Sequence, residues 1–342
     1  MSELVLHCAH EKDGIRILQG YGDLTRIRIP DRILDHPVRE IGPYCFSASE
    51  PGKGIQPDSD TFFCSLNYND SEILTGQKRV DAPSLPPLMG RYLEEVYLPP
   101  GLSALHNAAF YNCRQLSCLA FGPELLAIGS DVFTNCSKLK RLLYQGTGQD
   151  AAALSLILDR LEGDITAVFT GQPGMEDRGR EPVFALFFPE YYEWLDEVTP
   201  AHLFSRSIHG EGFRMRKCIK EGRVYFDRYD ACFAAAQKTE SAKSLCRIAG
   251  IRLRYPAALA PAARSLYEQA LLEHYETATD LVLSIRSTGF LTLLLDILTG
   301  PEADRRMRQV LEGCIRSDWG EGAALVMEQR GQKTPVKKTY IF

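Results

Sequence analysis

Leu93-Glu94-Glu95-Val96-Tyr97-Leu98, Leu116-Ser117-Cys118-Leu119-Ala120-Phe121 and Leu139-Lys140-Arg141-Leu142-Leu143-Tyr144 repeat one apolar pattern at a constant interval, the step from Leu93 to Leu116 being the step from Leu116 to Leu139. Phe110 and Phe133 keep the same interval, and so do Asn112-Cys113 and Asn135-Cys136. Independent positions that agree on one period mark a repeat architecture. An earlier copy reads Leu24-Thr25-Arg26-Ile27-Arg28-Ile29-Pro30 and continues to Ile41-Gly42 and Phe46. Its second half is longer than the corresponding stretch ending at Phe110.

Each LxxLxL segment predicts a short strand with its apolar side chains turned inward. Proline or glycine then turns the chain, and a second apolar segment ending in Phe crosses back beneath the strand. The Cys after Asn fits the crowded point where the next rung begins. One rung cannot bury its own apolar face, so rungs stack into a parallel-stranded solenoid. Before the first rung, residues 4–7 and 15–18 pair around Asp13-Gly14, a hairpin signal, and cap the array. Residues 47–92 interrupt the array as a turn-rich loop whose Phe62, Phe63 and Tyr68 are expected to fold part of it back onto the repeats.

Val38-Arg39-Glu40-Ile41-Gly42-Pro43-Tyr44-Cys45-Phe46, Leu98-Pro99-Pro100-Gly101-Leu102 and Ala108-Ala109-Phe110-Tyr111-Asn112-Cys113 resemble BspA-type leucine-rich repeats over about residues 15–145. The resemblance implies a solenoid. Because relatives of this kind are often surface or secreted adhesins, it also implies adhesion as one role.

After Gly146 the period stops. Residues 150–161 read as a helix, with Leu154, Ile157, Leu158 and Leu161 at helical spacing. Residues 165–170 and 183–188 read as strands around a loop at 171–179. Residues 189–198 read as a short helix begun by proline, and 213–219 with 223–226 as a hairpin around Glu221-Gly222. From Arg228 the pattern is helical, with Tyr229, Cys232, Phe233 and Ala236 on one stripe. Ser241 caps 242–254, a longer helix covers 262–284, Ser287 caps 289–298, and helices follow over 302–316 and from Asp318 to about Gln329. Short connections imply antiparallel neighbours, resembling helix-pair repeats. The expected fold is α+β. A leucine-rich-repeat solenoid of parallel rungs fills 1–147, a small α/β linking module 148–227, a helical domain 228–331 and a flexible tail 332–342.

Composition narrows the function. Thirty-nine basic and 44 acidic residues give a formal charge of −5, which does not suit a chain that tracks a phosphate backbone, so no nucleic acid is expected. Residues 1–7 lack the basic start of a secretory signal, and no stretch has the roughly 18–20 apolar residues of a membrane span. A cytoplasmic location and no membrane partner are the expectation. The ten cysteines form no CxxC pair, and they read as reduced, small apolar side chains.

Motifs that would carry chemistry are scarce in the sequence. His7-Cys8-Ala9-His10 has no partner pair at metal-binding spacing and reads as an exposed strand end. HExxH, GxSxG and GxxxxGK[ST] do not occur. His209-Gly210-Glu211-Gly212-Phe213 reads as a tight loop. Glu190, Glu193, Asp196 and Glu197, near Tyr191, Tyr192 and Trp194, read as a solvated acidic helix face rather than an acid–base pair. No catalytic residue, cofactor or metal is assigned. Arg305, Arg306 and Arg308 read as surface charges.

The residues between the inward positions of LxxLxL are expected to face outward on the sheet. They are Arg26 and Arg28, Glu95 and Tyr97, Cys118 and Ala120, and Arg141 and Leu143. Strands about 4.8 Å apart join them into one surface, with Tyr97 and Arg141 as the anchors for a protein partner. Alternatively, the 47–92 loop or the C-terminal half covers that face. The leading functional expectation is a protein–protein interaction scaffold. The others are an enzyme with a site in 148–226, between the repeats and the helices, and a surface adhesin.

Overall fold

A computed structural model describes residues 2–49, 60–69, 72–88, 90–171, 182–198 and 203–333 of the chain, which divides into two units, Met1–Tyr225 and Phe226–Phe342. The loop expected after Gly171 and the tail expected beyond Lys333 lie outside the described residues. The first unit begins with β1 (Ser2–Glu11), β2 (Gly14–Tyr21), β3 (Arg26–Arg28), β4 (Arg32–Ile33), β5 (His36–Ile41), β6 (Thr61–Asn69) and β7 (Glu72–Val80). The rungs supply β8 (Glu95–Tyr97), β9 (Ala104–Leu105), β10 (Cys118–Phe121), β11 (Ala127–Ile128) and β12 (Arg141–Tyr144).

The rung copies lie side by side. Val96 pairs with Leu119 and Leu119 with Leu142, all parallel, so the sequence period is the strand-to-strand register. Ile27 pairs directly with Val96, a full three periods further along the chain. The 47–92 insertion therefore leaves the rung order intact. Each rung also feeds a second sheet, in which β5, β9 and β11 are parallel neighbours. The extra length of the first copy is taken up by β4 and a tight turn whose Leu34 and Asp35 both have positive φ, as a two-residue hairpin turn requires.

Side chains one period apart fasten one rung to the next. Asn112 and Asn135 are both left-handed (φ 61° and 63°), a conformation asparagine tolerates. The Asn135 amide donates to Asn112 Oδ1 at 2.6 Å. The Cys113 and Cys136 thiols donate to the Phe46 and Phe110 carbonyls, each at 3.1 Å. Phe46, Phe110 and Phe133 stack at centroid distances of 5.5 and 6.0 Å. Gly122 follows β10 where any Cβ would lie 2.1 Å from the Pro100 carbonyl oxygen of the preceding rung.

β1 and β2 form the expected hairpin, and β2 pairs with β5. The insertion extends this sheet outward, because β6 pairs with β1 and β7 with β6. Phe62 is buried there and Phe63 stacks on His7 at 4.5 Å; the Tyr68 side chain lies outside the described residues. His7 and His10 lie inside the sheet rather than at an exposed strand end. His10 packs on Phe62, and burial pushes the His7 imidazole below its ordinary range.

The break expected at 147 does not divide the first sheet. After α1 (Ala152–Leu158), β13 (Ile165–Phe169) pairs parallel with β12, and β14 (Phe184–Phe188) pairs antiparallel with β13. The step lengthens here. Arg141 faces Thr166, where a strict period would have set it against Asp164, and this hides the rung in the sequence. The sheet order is β14-β13-β12-β10-β8-β3. Phe121, Tyr144, Phe169 and Phe184 make an aromatic row along it, at 5.3, 5.4 and 4.0 Å. Residues 192–198, expected as a helix, are a strand, β15 (Tyr192–Val198), paired with β16 (Leu203–His209) as a separate two-stranded ribbon. The alternation of Tyr192, Trp194 and Asp196 with Glu193, Leu195 and Glu197 is a strand period that the leading proline obscures. The expected strand over 213–219 is instead mostly α2 (Gly212–Arg216), followed by the hairpin of β17 (Ile219–Lys220) and β18 (Arg223–Val224).

The second unit is helical: α3 (Phe226–Ala231), α4 (Phe233–Thr239), α5 (Ala242–Arg254), α6 (Pro261–Glu273), α7 (Tyr275–Ile285), α8 (Thr288–Ile297), α9 (Ala303–Arg316) and α10 (Gly320–Lys333). Ser241 caps α5, its hydroxyl accepting from the Ser244 amide. Ser287 makes no such cap. The single helix expected over 262–284 is two, interrupted at His274 (φ −105°, ψ 37°). No proline or glycine marks that point, and apolar spacing continues on both sides of it. α5 packs against α6, α7 and α8, and α10 against α9 and α8.

All ten cysteines are free thiols, nine buried and Cys232 half-buried. Burial pushes the Cys8, Cys45 and Cys246 thiols upward, which suppresses the reactive thiolate. A chromogenic disulfide reagent is expected to label one thiol per native chain, Cys232, and all ten after denaturation. Cys232→Ser should remove the native signal. Rapid native labelling of a second cysteine would contradict this packing.

Candidate functional site

The expected recognition face is real at one end and closed at the other. On β3 and β8 the alternation holds: Ile27 and Val96 are buried, while Arg26 is exposed and Arg28, Glu95 and Tyr97 are half-buried. From β10 onward it fails. Cys118, Ala120 and Leu143, all expected to face a partner, are only 5%, 1% and 3% exposed. Arg141 is half-buried beside them. Leu143 is accordingly corrected from a contact residue to a core residue. The signal that separates the two ends is in the sequence. Arg-Ile-Arg and Glu-Val-Tyr alternate, whereas Cys-Leu-Ala-Phe at 118–121 and Phe-Ala-Leu-Phe-Phe at 184–188 are unbroken apolar runs. Such runs are typical of strands covered on both faces.

The open end is an ordered patch. The Arg28 guanidinium lies over the Tyr97 ring at 4.8 Å. The Tyr97 hydroxyl donates to Glu95 Oε2 at 2.9 Å, and Arg26 Nη2 lies 3.4 Å from Glu95 Oε1. Burial, with Glu95 at its hydroxyl, raises the Tyr97 phenol above its ordinary range and keeps it protonated. The four side chains hold one another in place, so less rotamer freedom remains to be lost when a partner arrives. Tyr92, 65% exposed and on the same rung just before Leu93, was not singled out by the alternation rule because it precedes the LxxLxL core.

The second sheet carries its own polar cluster. Arg16 Nε donates to Glu40 Oε2 at 2.7 Å, His106 Nε2 lies 2.8 Å from the same oxygen, and Arg16 also reaches Glu11 at 3.0 Å. Partial burial opposes the charge of Glu40, but the bonds from His106 and Arg16 outweigh it and hold the carboxyl below its ordinary range. Carboxylates and a guanidinium, with no hydroxyl or thiol among these four side chains, give the cluster the character of a structural ion-pair network.

A cavity of about 390 Å³ opens beside Phe133, Asn135 and Cys136, and its lining includes Lys140 and Arg160 as well as Glu162, Asp164 and Glu190. No histidine lines it, so its Cys136 and Ser137 have no imidazole base beside them. Among the described residues no group of three or more His, Cys, Asp or Glu could hold a metal ion, and no helix is long and apolar enough to cross a membrane.

Residues 89–150 match the family described as BspA type Leucine rich repeat region (6 copies). That span holds just under three of the chain's own repeat periods, so the six copies belong to the family's own description. Among solved structures, the chain is similar to a leucine rich cell surface protein from Faecalibacterium prausnitzii A2-165, at 18% identity and a TM-score of 0.24. The match covers 43% of this chain and 32% of that one. No curated protein matches the chain.

Proposed function

From the BspA-type leucine-rich-repeat region of this chain, we infer a protein-binding module that uses the open end of its parallel sheet. The observation that carries this reading is the patch of Arg26, Arg28, Glu95 and Tyr97, where a cation–π pair and a Tyr–Glu hydrogen bond fix the contact side chains in advance. Two arginines, Arg26 and Arg28, against the single Glu95 make the patch basic. Its partner is a protein segment that offers carboxylates and a flat apolar surface to Tyr97. Binding is the whole mechanism, and no covalent step is assigned to the patch.

We place the module in a reducing compartment, in keeping with the ten unbridged thiols, and read it as cytoplasmic. Adhesion at a surface is the competing role suggested by relatives.

Affinity purification from the native host, quantified against the unmodified chain, tests the patch. Tyr97→Ala and Arg28→Glu should each weaken retention of the same partner by about 30-fold, the loss of a binding hot spot worth about 2 kcal/mol. Leu126→Ala, exposed beside the other sheet, should leave it unchanged. Full retention of every partner by both patch variants would remove the assignment.

A further inference from the structure

Each rung closes on the next through one set of bonds at the turn that carries its Phe and Asn. The Tyr44, Phe46 and Ala48 amides donate to the Asn107, Ala109 and Tyr111 carbonyls at 3.1, 2.9 and 2.9 Å. One rung on, the Ala108, Phe110 and Asn112 amides donate to the Ser130, Val132 and Thr134 carbonyls at 2.8, 3.1 and 2.9 Å. Side chains follow the same rule. Asn112 Nδ2 donates to Ser49 Oγ and Asn135 Nδ2 to Asn112 Oδ1, each at 2.6 Å. The Phe46 and Phe110 carbonyls each take a thiol from the rung that follows. In the second sheet the Ile41 and Leu105 carbonyls accept from the His106 and Gly129 amides at 2.9 and 2.8 Å.

The third rung carries the same groups and has no successor at that turn. After Ser137 the chain forms β12, α1 and β13, and β13 extends the sheet of β8, β10 and β12, while β11 remains the end strand of the second sheet. Among the described residues no acceptor meets the Asp131, Phe133 and Asn135 amides, which stand where Ala108, Phe110 and Asn112 stand one rung earlier. The Phe133 carbonyl takes no thiol, and no further amide continues the ladder at Asn135 Oδ1. Where a rung amide would reach the Ile128 carbonyl, Arg160 Nη2 lies at 3.4 Å. Leu126, just before β11, is 61% exposed, whereas Ser103 at the same place in the preceding rung is half-buried. The cavity opens at this turn, with Phe133 in its wall. Lys140 and Arg160 there face three carboxylates, of which Asp164 already accepts from the Glu190 amide, so its lining is mixed in charge.

We propose that the open edge from Leu126 to Asn135, with the cavity beside it, docks an extended segment of a partner protein that completes one further rung. The occupant is defined by what each rung gives the one before it. It supplies carbonyls to the three amides, an aromatic side chain to the cavity beside Phe133, and an asparagine amide two residues after that ring to Asn135 Oδ1. Strand addition gives main-chain hydrogen bonds to an edge that lacks them, and a solenoid requires its last rung to be covered. The interface is the one the chain already makes twice between its own rungs. Recognition rests on main-chain bonds and the ring, since the mixed lining selects neither sign of charge. A second copy fits less well. The matching edge of its first rung is already capped, because β2 pairs with β5 and Gln19 Nε2 donates to the Cys45 carbonyl at 3.0 Å. The site is separate from the β3–β8 patch and does not depend on it.

The probe is a fluorescein-labelled peptide that copies residues 125–137, the strand and turn one rung presents to another, titrated by anisotropy against the full chain with thiols kept reduced. Saturable binding that changes little with added salt is expected. Peptides with alanine in place of the copied Phe133 or Asn135, and a scrambled peptide, should each bind about ten-fold or more weakly, roughly the effect of one well-made contact. In the full chain, Asn135→Gly keeps the left-handed backbone (φ 63°) and removes the acceptor, and it should weaken the unaltered peptide by about the same factor. Leu126→Asp places a charge on the exposed edge without touching the core and should do likewise, with unchanged thermal unfolding. Tyr97→Ala should bind the peptide normally. Absence of saturable binding, equal affinity for the scrambled peptide, or undiminished binding by Leu126→Asp overturns the proposal. Sedimentation showing a dimer that Leu126→Asp dissociates would assign the edge to a second copy instead, and would overturn it equally.

Discussion

Asp230→Ala should cost the helical unit about 3–5 kcal/mol, the loss found when one partner of a buried ion pair is removed. Arg252 is 0% exposed in the last turn of α5. Asp230 meets it with both oxygens, Oδ1 to Nε at 2.8 Å and Oδ2 to Nη2 at 2.9 Å. Two further guanidinium hydrogens go to the Tyr255 and Ala257 carbonyls, each at 3.2 Å, and the Phe226 ring lies 5.0 Å away. Tyr267 donates its hydroxyl to Asp230 Oδ1 at 2.7 Å. Burial works against the charge on Arg252, but the bond from Asp230 prevails and raises its pKa further. Arginine's intrinsic pKa lies so far above neutrality that the guanidinium stays charged when the carboxylate goes. A buried cation is left with carbonyls alone, and a phenol with no acceptor.

Domains of this size are stable by only about 5–15 kcal/mol, so this one change removes a fifth or more of what holds the unit. Trp319, buried in this unit, reports the transition by fluorescence in urea, with Trp194→Phe as background because Trp194 lies in the other unit. Asp230→Leu combined with Arg252→Met should recover much of the loss, since an apolar pair of similar volume removes the uncompensated charge. A single-variant loss below about 1 kcal/mol would mean that the site relaxes and lets water reach Arg252.

The fold was legible where side-chain spacing alone decides it. The interval between Leu93, Leu116 and Leu139 translates into strand register residue for residue, because a solenoid converts sequence period directly into lateral displacement. It was less legible where tertiary contacts decide. β13 belongs to the same sheet, yet its longer step and the intervening α1 remove it from the period. The break at His274 carries no breaker residue, and the acidic stretch after Pro189 is a strand because Arg216, far along the chain, ties its root to that of β16.

The candidate site divides along the same line. Alternation identified Arg26, Arg28, Glu95 and Tyr97 as outward, and there they stand. Applied to β10 and β12, the same rule overreached, because it assumes that one face of every strand meets water. Cys118, Ala120 and Leu143 are small or apolar, and that composition was the available warning that both faces are covered.

Phe110→Ala is expected to be the most damaging single change in the repeat unit, at about 3–5 kcal/mol for a large side chain lost from a closed core. Phe110 is fully buried between two parallel rings, Phe46 at 5.5 Å and Phe133 at 6.0 Å. The two neighbours belong to other rungs, with backbone hydrogen bonds of their own, which limits how far they can follow into the space. The Cys113 thiol holds the Phe46 carbonyl, and the Cys136 thiol holds that of Phe110 itself. Phe133→Ala removes the same atoms from the outer end of the stack, where the side chain borders the cavity and water can enter the gap. Its cost should be smaller, by about 1–2 kcal/mol, because the term for an enclosed void falls away. Both variants keep the backbone pattern of the rung, so the difference between them isolates closure of the stack from loss of a ring. Equal losses in denaturant titrations would show that Phe110 sits in a site able to collapse, and that rungs of this solenoid slide rather than lock.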